Sequence, residues 1–375
     1  MKKSLYLSTA IAAVSALALS TSSASAGSKM KIALGGFLTS YVGYAEQDGS
    51  FESTNKNPAR VGYDSINIVT DSEVYFKGST KLDNGINVSV VMQLETDPSG
   101  GNGSIDESYA KFTGGFGDIR IGSTKAAGSV LKHNAPNSGL LSFNGGDVEN
   151  FIIQPAGSSL SSSQGTNIGG SDAMKLVYIT PKMNGLRVGA SYVPSTTSTD
   201  AMPATGGTDG TETQIYDLVV SYENKLGTME LEADLNMWRE QGTAANSIDG
   251  RRFGVNIGFG AITIGGSVLN EDAVDSGQSI LATNPDVEAM DVGISYQMSP
   301  STSASLTFMN AKKDNASGTA GEDSVTKMGL GLEHSLGSGV DFVASIAQVE
   351  WEDETTDDAN NNDGWLAVAG ISVGF

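Results

Sequence analysis

The chain has 375 residues, 47 of them glycine and none cysteine, with 39% hydrophobic residues and a net charge of -21 at neutral pH. That acidic balance speaks against a nucleic-acid partner, and the lack of cysteine excludes disulfide stapling and thiolate metal sites. Length alone suggests two or three domains, but modest hydrophobicity with abundant glycine suits one large barrel that is apolar only at alternate positions.

The first element, residues 1–26, reads as an export signal. Lys2 and Lys3 precede the apolar stretch Ile11–Leu19 and the small-residue cleavage pattern Ala24-Ser25-Ala26, an order that predicts a mature start at Gly27. The apolar stretch is too short to span a bilayer, and no later segment has a long uncharged apolar run. Removing Lys2 and Lys3 leaves 20 basic against 43 acidic residues, a mature charge of -23. Residues 27–375 then form a single unit.

From Lys31 onward the period is two. A first strand at Lys31–Ala45 is followed by a hairpin over Ser72–Glu95. Val74 and Phe76 share one face there, and Glu73, Tyr75, Lys77, Ser79 and Lys81 share the other. Asp83-Asn84-Gly85 supplies the turn. Tyr109 and Lys111 oppose Ala110 and Phe112, and Arg120 lies between Ile119 and Ile121. Strands at Met174–Pro181 and Leu186–Val193 flank a turn. Tyr216 to Tyr222, Met229 to Met237, Phe253 to Phe259, Ile262 to Val268, Met290 to Tyr296 and Ala304 to Phe308 continue the alternation. Met328 to Leu332, Val340 to Ile346 and Trp365 to Phe375 complete it.

This pattern predicts an all-β fold: a transmembrane antiparallel β-barrel of about sixteen strands, each averaging about 22 residues with its connection. Eight long acidic connections alternate with short turns: Glu46–Asp71, Thr96–Asp106, Lys125–Asp172, Ser195–Glu212, Arg239–Asp249, Glu271–Glu288, Lys313–Asp323 and Glu352–Asp363. Short turns are expected at the periplasmic end and long loops at the extracellular end.

Phe76-Lys77-Gly78, Asp83-Asn84-Gly85 and Gln93-Leu94-Glu95 together resemble the second-to-third strand hairpin of the trimeric general porins of Gram-negative outer membranes. Gly114–Gly122, reading GGFGDIRIG, is similar to that family's fourth-to-fifth turn and strand. Phe375 resembles the terminal aromatic read by the barrel-assembly machinery. The likeness covers essentially the whole mature length. It implies a homotrimer in the outer membrane, among lipid and lipopolysaccharide. The barrel would pass ions and small hydrophilic solutes by diffusion, with a weak cation preference.

The resemblance also implies that the third long loop, residues 125–172, folds inward to narrow the pore. Asp147 and Glu149 are then the acidic candidates on the loop, and Lys77, Lys81, Lys111 and Arg120 the basic candidates on the facing wall. A strong transverse field would result. The loop departs from the family pattern in its serine- and glycine-rich stretch Gly157–Ser171. Arg187 and Arg252 read as ordinary lumen residues. Tyr41, Tyr44, Tyr192, Tyr222, Tyr296, Phe253, Phe308 and Trp365 read as an aromatic girdle.

Catalysis finds little support, since His133 and His334 come with no nucleophile motif. No metal-ligand spacing is present. The acidic run Glu350–Asp358, with Asp363 just beyond, suits calcium by composition, but equally a solvated loop or a divalent bridge to lipopolysaccharide. No cofactor is required.

Overall fold

The computed structural model describes residues 30–55, 64–97, 104–141, 146–155, 158, 160, 172–195, 214–241, 247–274, 286–314 and 321–375. The expected export signal, residues 1–26, and its expected cleavage site lie outside these residues.

Sixteen antiparallel strands close into one barrel, each paired with its neighbours in sequence and the last with the first. They are β1 (Lys31–Gln47), β2 (Ile66–Lys81), β3 (Asn87–Glu95), β4 (Ile105–Gly114), β5 (Gly117–Ser123), β6 (Met174–Ile179), β7 (Leu186–Val193) and β8 (Gln214–Leu226). The second half contains β9 (Met229–Gln241), β10 (Ser247–Phe259), β11 (Ile262–Val274), β12 (Val287–Ser299), β13 (Thr302–Asp314), β14 (Glu322–Gly337), β15 (Val340–Glu352) and β16 (Asn362–Gly374). Closure satisfies every strand edge, which a sheet in hydrocarbon requires. At the seam Phe375 and Gly36 exchange backbone hydrogen bonds of 3.0 and 3.1 Å.

The predicted alternation sets the two faces. Leu38, Ile68, Leu218, Ile264, Leu330 and Ile346 are exposed on the outside, as a lipid-facing surface requires. Tyr44 and Trp365 meet outside with tilted rings 5.6 Å apart, and Tyr192 and Tyr216 at 5.1 Å. Tyr41 does not belong to this girdle. It points inward, is 6% exposed, and lies 5.9 Å from the Phe151 ring.

Among the described residues, two short α-helices lie in the connections, α1 (Gly49–Asn55) and α2 (Ala127–Leu131). The second opens the loop after β5, whose described residues lie inside the barrel. Ala127 and Leu131 are buried against Val177, Ile179 and Val219. Farther along, Leu141, Val148, Ile152 and Leu160 pack among the inward Trp238, Leu269, Met309, Val349, Trp351 and Leu366. The Trp351 indole donates to the Leu160 carbonyl at 3.1 Å. Burying such aliphatic side chains is worth about 1.5–3 kcal/mol each. The loop therefore fills part of the lumen with a dry apolar cluster.

Candidate functional site

The loop hangs on a series of acceptors that the inward faces of successive strands present to its backbone. Ser191 Oγ on β7 accepts the Ala127 N–H at 2.6 Å, and Asp217 on β8 accepts that of Gly128 at 3.0 Å. Asp234 on β9 accepts the His133 N–H at 2.6 Å, and Asp291 on β12 that of Ala135 at 2.6 Å. Ser305 on β13 and Ser345 on β15 receive Ser138 and Leu140 at 2.8 and 3.1 Å. Hydrogen bonds to charged acceptors contribute about 1.5–3 kcal/mol each. The inward glycines Gly254 and Gly331 let the loop approach this closely: a Cβ at either would collide with the carbonyl oxygen of His133 or Ser138.

Arg252 on β10 ties wall to loop. Its Nη1 lies 2.7 Å from Asp234 Oδ2, with both side chains fully buried. Its Nη2 donates to the His133 carbonyl at 2.5 Å and to Asn134 Oδ1. Arg252 is thus a structural anchor rather than an ordinary lumen residue. The His133 ring sits between Glu223 and Glu232, at 3.9 and 3.7 Å. Arg187 does face the lumen and pairs with Glu223. Burial pushes the His133 imidazole below its ordinary value. Burial, then the Arg252 charge, lowers the Lys132 ammonium to about 7.

The loop's anchors follow β7 to β16, then β1 and the extracellular end of β2. Against the lumen face of β2–β5 lie the basic residues expected there. Lys77 Nζ rests 4.9 Å from the centre of the Tyr75 ring. Lys111 and Arg120 are cross-strand partners and converge on Asp118 Oδ2, at 2.7 and 3.3 Å. Lys81 ends β2 beside the periplasmic turn and is exposed. Lys77, Lys111 and Arg120 therefore form one group, with Lys81 below it.

The acidic candidates are placed elsewhere. Glu149 lies in a 3-10 turn at Gly146–Asn150, and the Asp147 side chain lies outside the described residues. The carbonyl of Asn150 accepts from Asn67 Nδ2 at 2.7 Å, ten residues above Lys77 on β2, or about 33 Å of strand. The geometry does not bring Glu149 opposite the basic group. At the height of Arg120 the loop presents residues 127–141, which include no carboxylate.

Carboxylates instead gather on the same wall, toward the extracellular end. Oxygens of Glu73, Glu95 and Asp106 lie within 4.8 Å of one another, as do those of Asp71, Glu95 and Asp97. Glu107 and Lys125 stand 3.8 Å apart beside them. Glu73 precedes Lys77 by four residues, about 13 Å. Charge therefore changes sign down the wall, and the sequence reading missed this group. A usable signal was the run of inward carboxylates at Glu73, Glu95 and Glu107. In the acidic run after β15, Asp353 and Glu354 approach Asp323 of β14, with oxygens within 4.8 Å of one another. Asp353 already accepts from Asn360 and Thr355, at 2.6 and 3.1 Å.

A family model described as Gram-negative porin matches residues 12–354. Among solved structures, the anion-selective porin of Comamonas acidovorans is similar at 16% identity and a TM-score of 0.62. That match covers 92% of this chain and all of the other. OmpT, an outer membrane protein of Vibrio cholerae, matches at 11% identity and 0.62, covering 96% of this chain and 100% of that one. The outer membrane channel DcaP of Acinetobacter baumannii matches at 14% and 0.59, covering 92% and 97%. These likenesses concern the fold. No curated protein sequence matches the chain.

Proposed function

The chain belongs to the Gram-negative porin family, and on that premise we propose that it passes ions and small hydrophilic solutes by passive diffusion, with a weak cation preference. Family and fold are those of an outer-membrane channel. The observation that carries the diffusion reading is the charged wall of β2–β5, left beside a loop anchored to the rest of the barrel. Tyr75, Lys77, Gln93, Glu95, Tyr109 and Lys111 there are all partly accessible.

The cation preference rests on the extracellular carboxylates and the mature charge of -23, which draw cations to the mouth within about 8–10 Å at physiological salt. The Comamonas acidovorans porin is described as anion-selective, so selectivity is not carried by the fold. Assembly as a homotrimer in contact with lipopolysaccharide, cleavage after Ala26, and a role for Phe375 as the assembly signal are part of the same reading. Intact mass and crosslinking of outer-membrane material test the first and second. Deleting Phe375 should lower outer-membrane levels.

Planar-bilayer recording across a potassium chloride gradient is the central experiment. Stepwise ohmic currents with a small reversal potential of cation-selective sign are expected. A protein that inserts and passes no current would defeat the channel reading.

A further inference from the structure

We propose that Asp118, on the barrel wall, is the residue that holds back anion selectivity at the basic group. This rests on the channel reading above. Asp118 is the second residue of β5, paired with Thr113 on β4 and Ile179 on β6, and its side chain points inward. One carboxylate oxygen receives both the Lys111 ammonium at 2.7 Å and the Arg120 guanidinium at 3.3 Å. Arg120 Nε also donates to its other oxygen at 3.4 Å. The three side chains are 14% to 31% exposed, so ions in the passage reach them.

A carboxylate bridging an ammonium and a guanidinium occupies the place that a mobile anion would take between two such donors. Asp118 is thus a tethered anion: it offsets one of the three positive charges of Lys77, Lys111 and Arg120 and holds the donor atoms of two. Lys77 remains on the Tyr75 ring. No loop carboxylate serves this purpose at that height, because residues 127–141 contain none.

The test compares reversal potentials of wild type, Asp118→Asn and Asp118→Glu in a potassium chloride gradient, then titrates inorganic phosphate against the open channel. One unit charge about 5 Å from an ion in water corresponds to about fourfold in partition, or ~0.8 kcal/mol. Asp118→Asn should therefore move the permeability ratio toward chloride by up to about sixteenfold, about fourfold from each ion, and make phosphate a blocker at lower concentration. Asp118→Glu should stay near wild type. The paired amides at Asp147 and Glu149 should move the ratio less than Asp118→Asn does. A conducting Asp118→Asn channel with an unchanged ratio overturns the inference while leaving the channel reading intact. If that variant does not assemble, Lys111→Gln leaves Asp118 with one partner and should shift the ratio toward potassium. No shift there overturns it equally.

Discussion

Replacing Asp234 by Ala should loosen the inward loop, and its magnitude can be worked from the contacts. The carboxylate accepts from Arg252 at 2.7 Å and from the His133 N–H at 2.6 Å. Both side chains of the ion pair are fully buried. Removing one partner of such a pair strands a buried charge, at about 3–5 kcal/mol. With an unfolding entropy of ~2.1 cal/mol/K per residue over about 345 residues, that corresponds to a fall of about 4–7 °C in the melting midpoint. Heat-modified gel mobility measures this midpoint, and open-channel current noise reports the freed loop. Removing both charges, as in Asp234→Leu with Arg252→Met, should recover most of the loss, because apolar replacement of a buried pair is often neutral. An Asp234→Ala barrel that melts with wild type, or a double variant as weak as the single, would refute the anchoring argument.

Gly331→Ala puts a methyl group against the Ser138 carbonyl, so the loop must retreat by about an ångström or more, at about 1–3 kcal/mol. Single-channel conductance should change, whereas Gly115→Ala, with open space around it, should conduct as wild type. The His133 imidazole is held below its ordinary value by burial, so the unfolded chain binds its proton first. Its contribution to stability is complete above about pH 6.5 and declines as pH falls below that. The midpoint difference between wild type and His133→Gln should therefore become less favourable to wild type between pH 7.5 and 5. Glu223, Glu232, Ser221 and Arg187 face the ring, and a pH-independent difference would rule out this role for it.

Strand number and facing were legible because lipid enforces an apolar residue at every second position. The hairpin around Asp83-Asn84-Gly85 shows how completely that constraint is written into the chain. The course of the loop was not legible, because Asp217, Asp234, Asp291, Ser305 and Ser345 look like any polar residues facing water. Their role depends on backbone donors that arrive from 89 to 205 residues away. Arg252 was misread for the same reason. Tyr41 was misplaced because aromatic type was weighed above its position in the alternation. The loop's apolar bed did leave a trace: Leu366-Ala367-Val368-Ala369 is apolar on both faces, where a wet lumen would have one polar face.

The sign change along the β2–β5 wall has an electrical consequence. Negative fixed charge at Asp71, Glu73 and Glu95 precedes positive fixed charge at Lys77, Lys111 and Arg120, so the passage is a bipolar junction in water. With the extracellular side positive, cations arrive through the acidic zone and anions through the basic one, and carriers accumulate where the zones meet. With the polarity reversed, both are drawn away and the junction is depleted. The channel should therefore rectify in symmetric dilute salt, conducting better when the outside is positive. The asymmetry should fade toward 1 M salt, as the Debye length falls to about 3 Å. A symmetric current–voltage curve at 10 mM salt would show that the two zones do not share one conducting path.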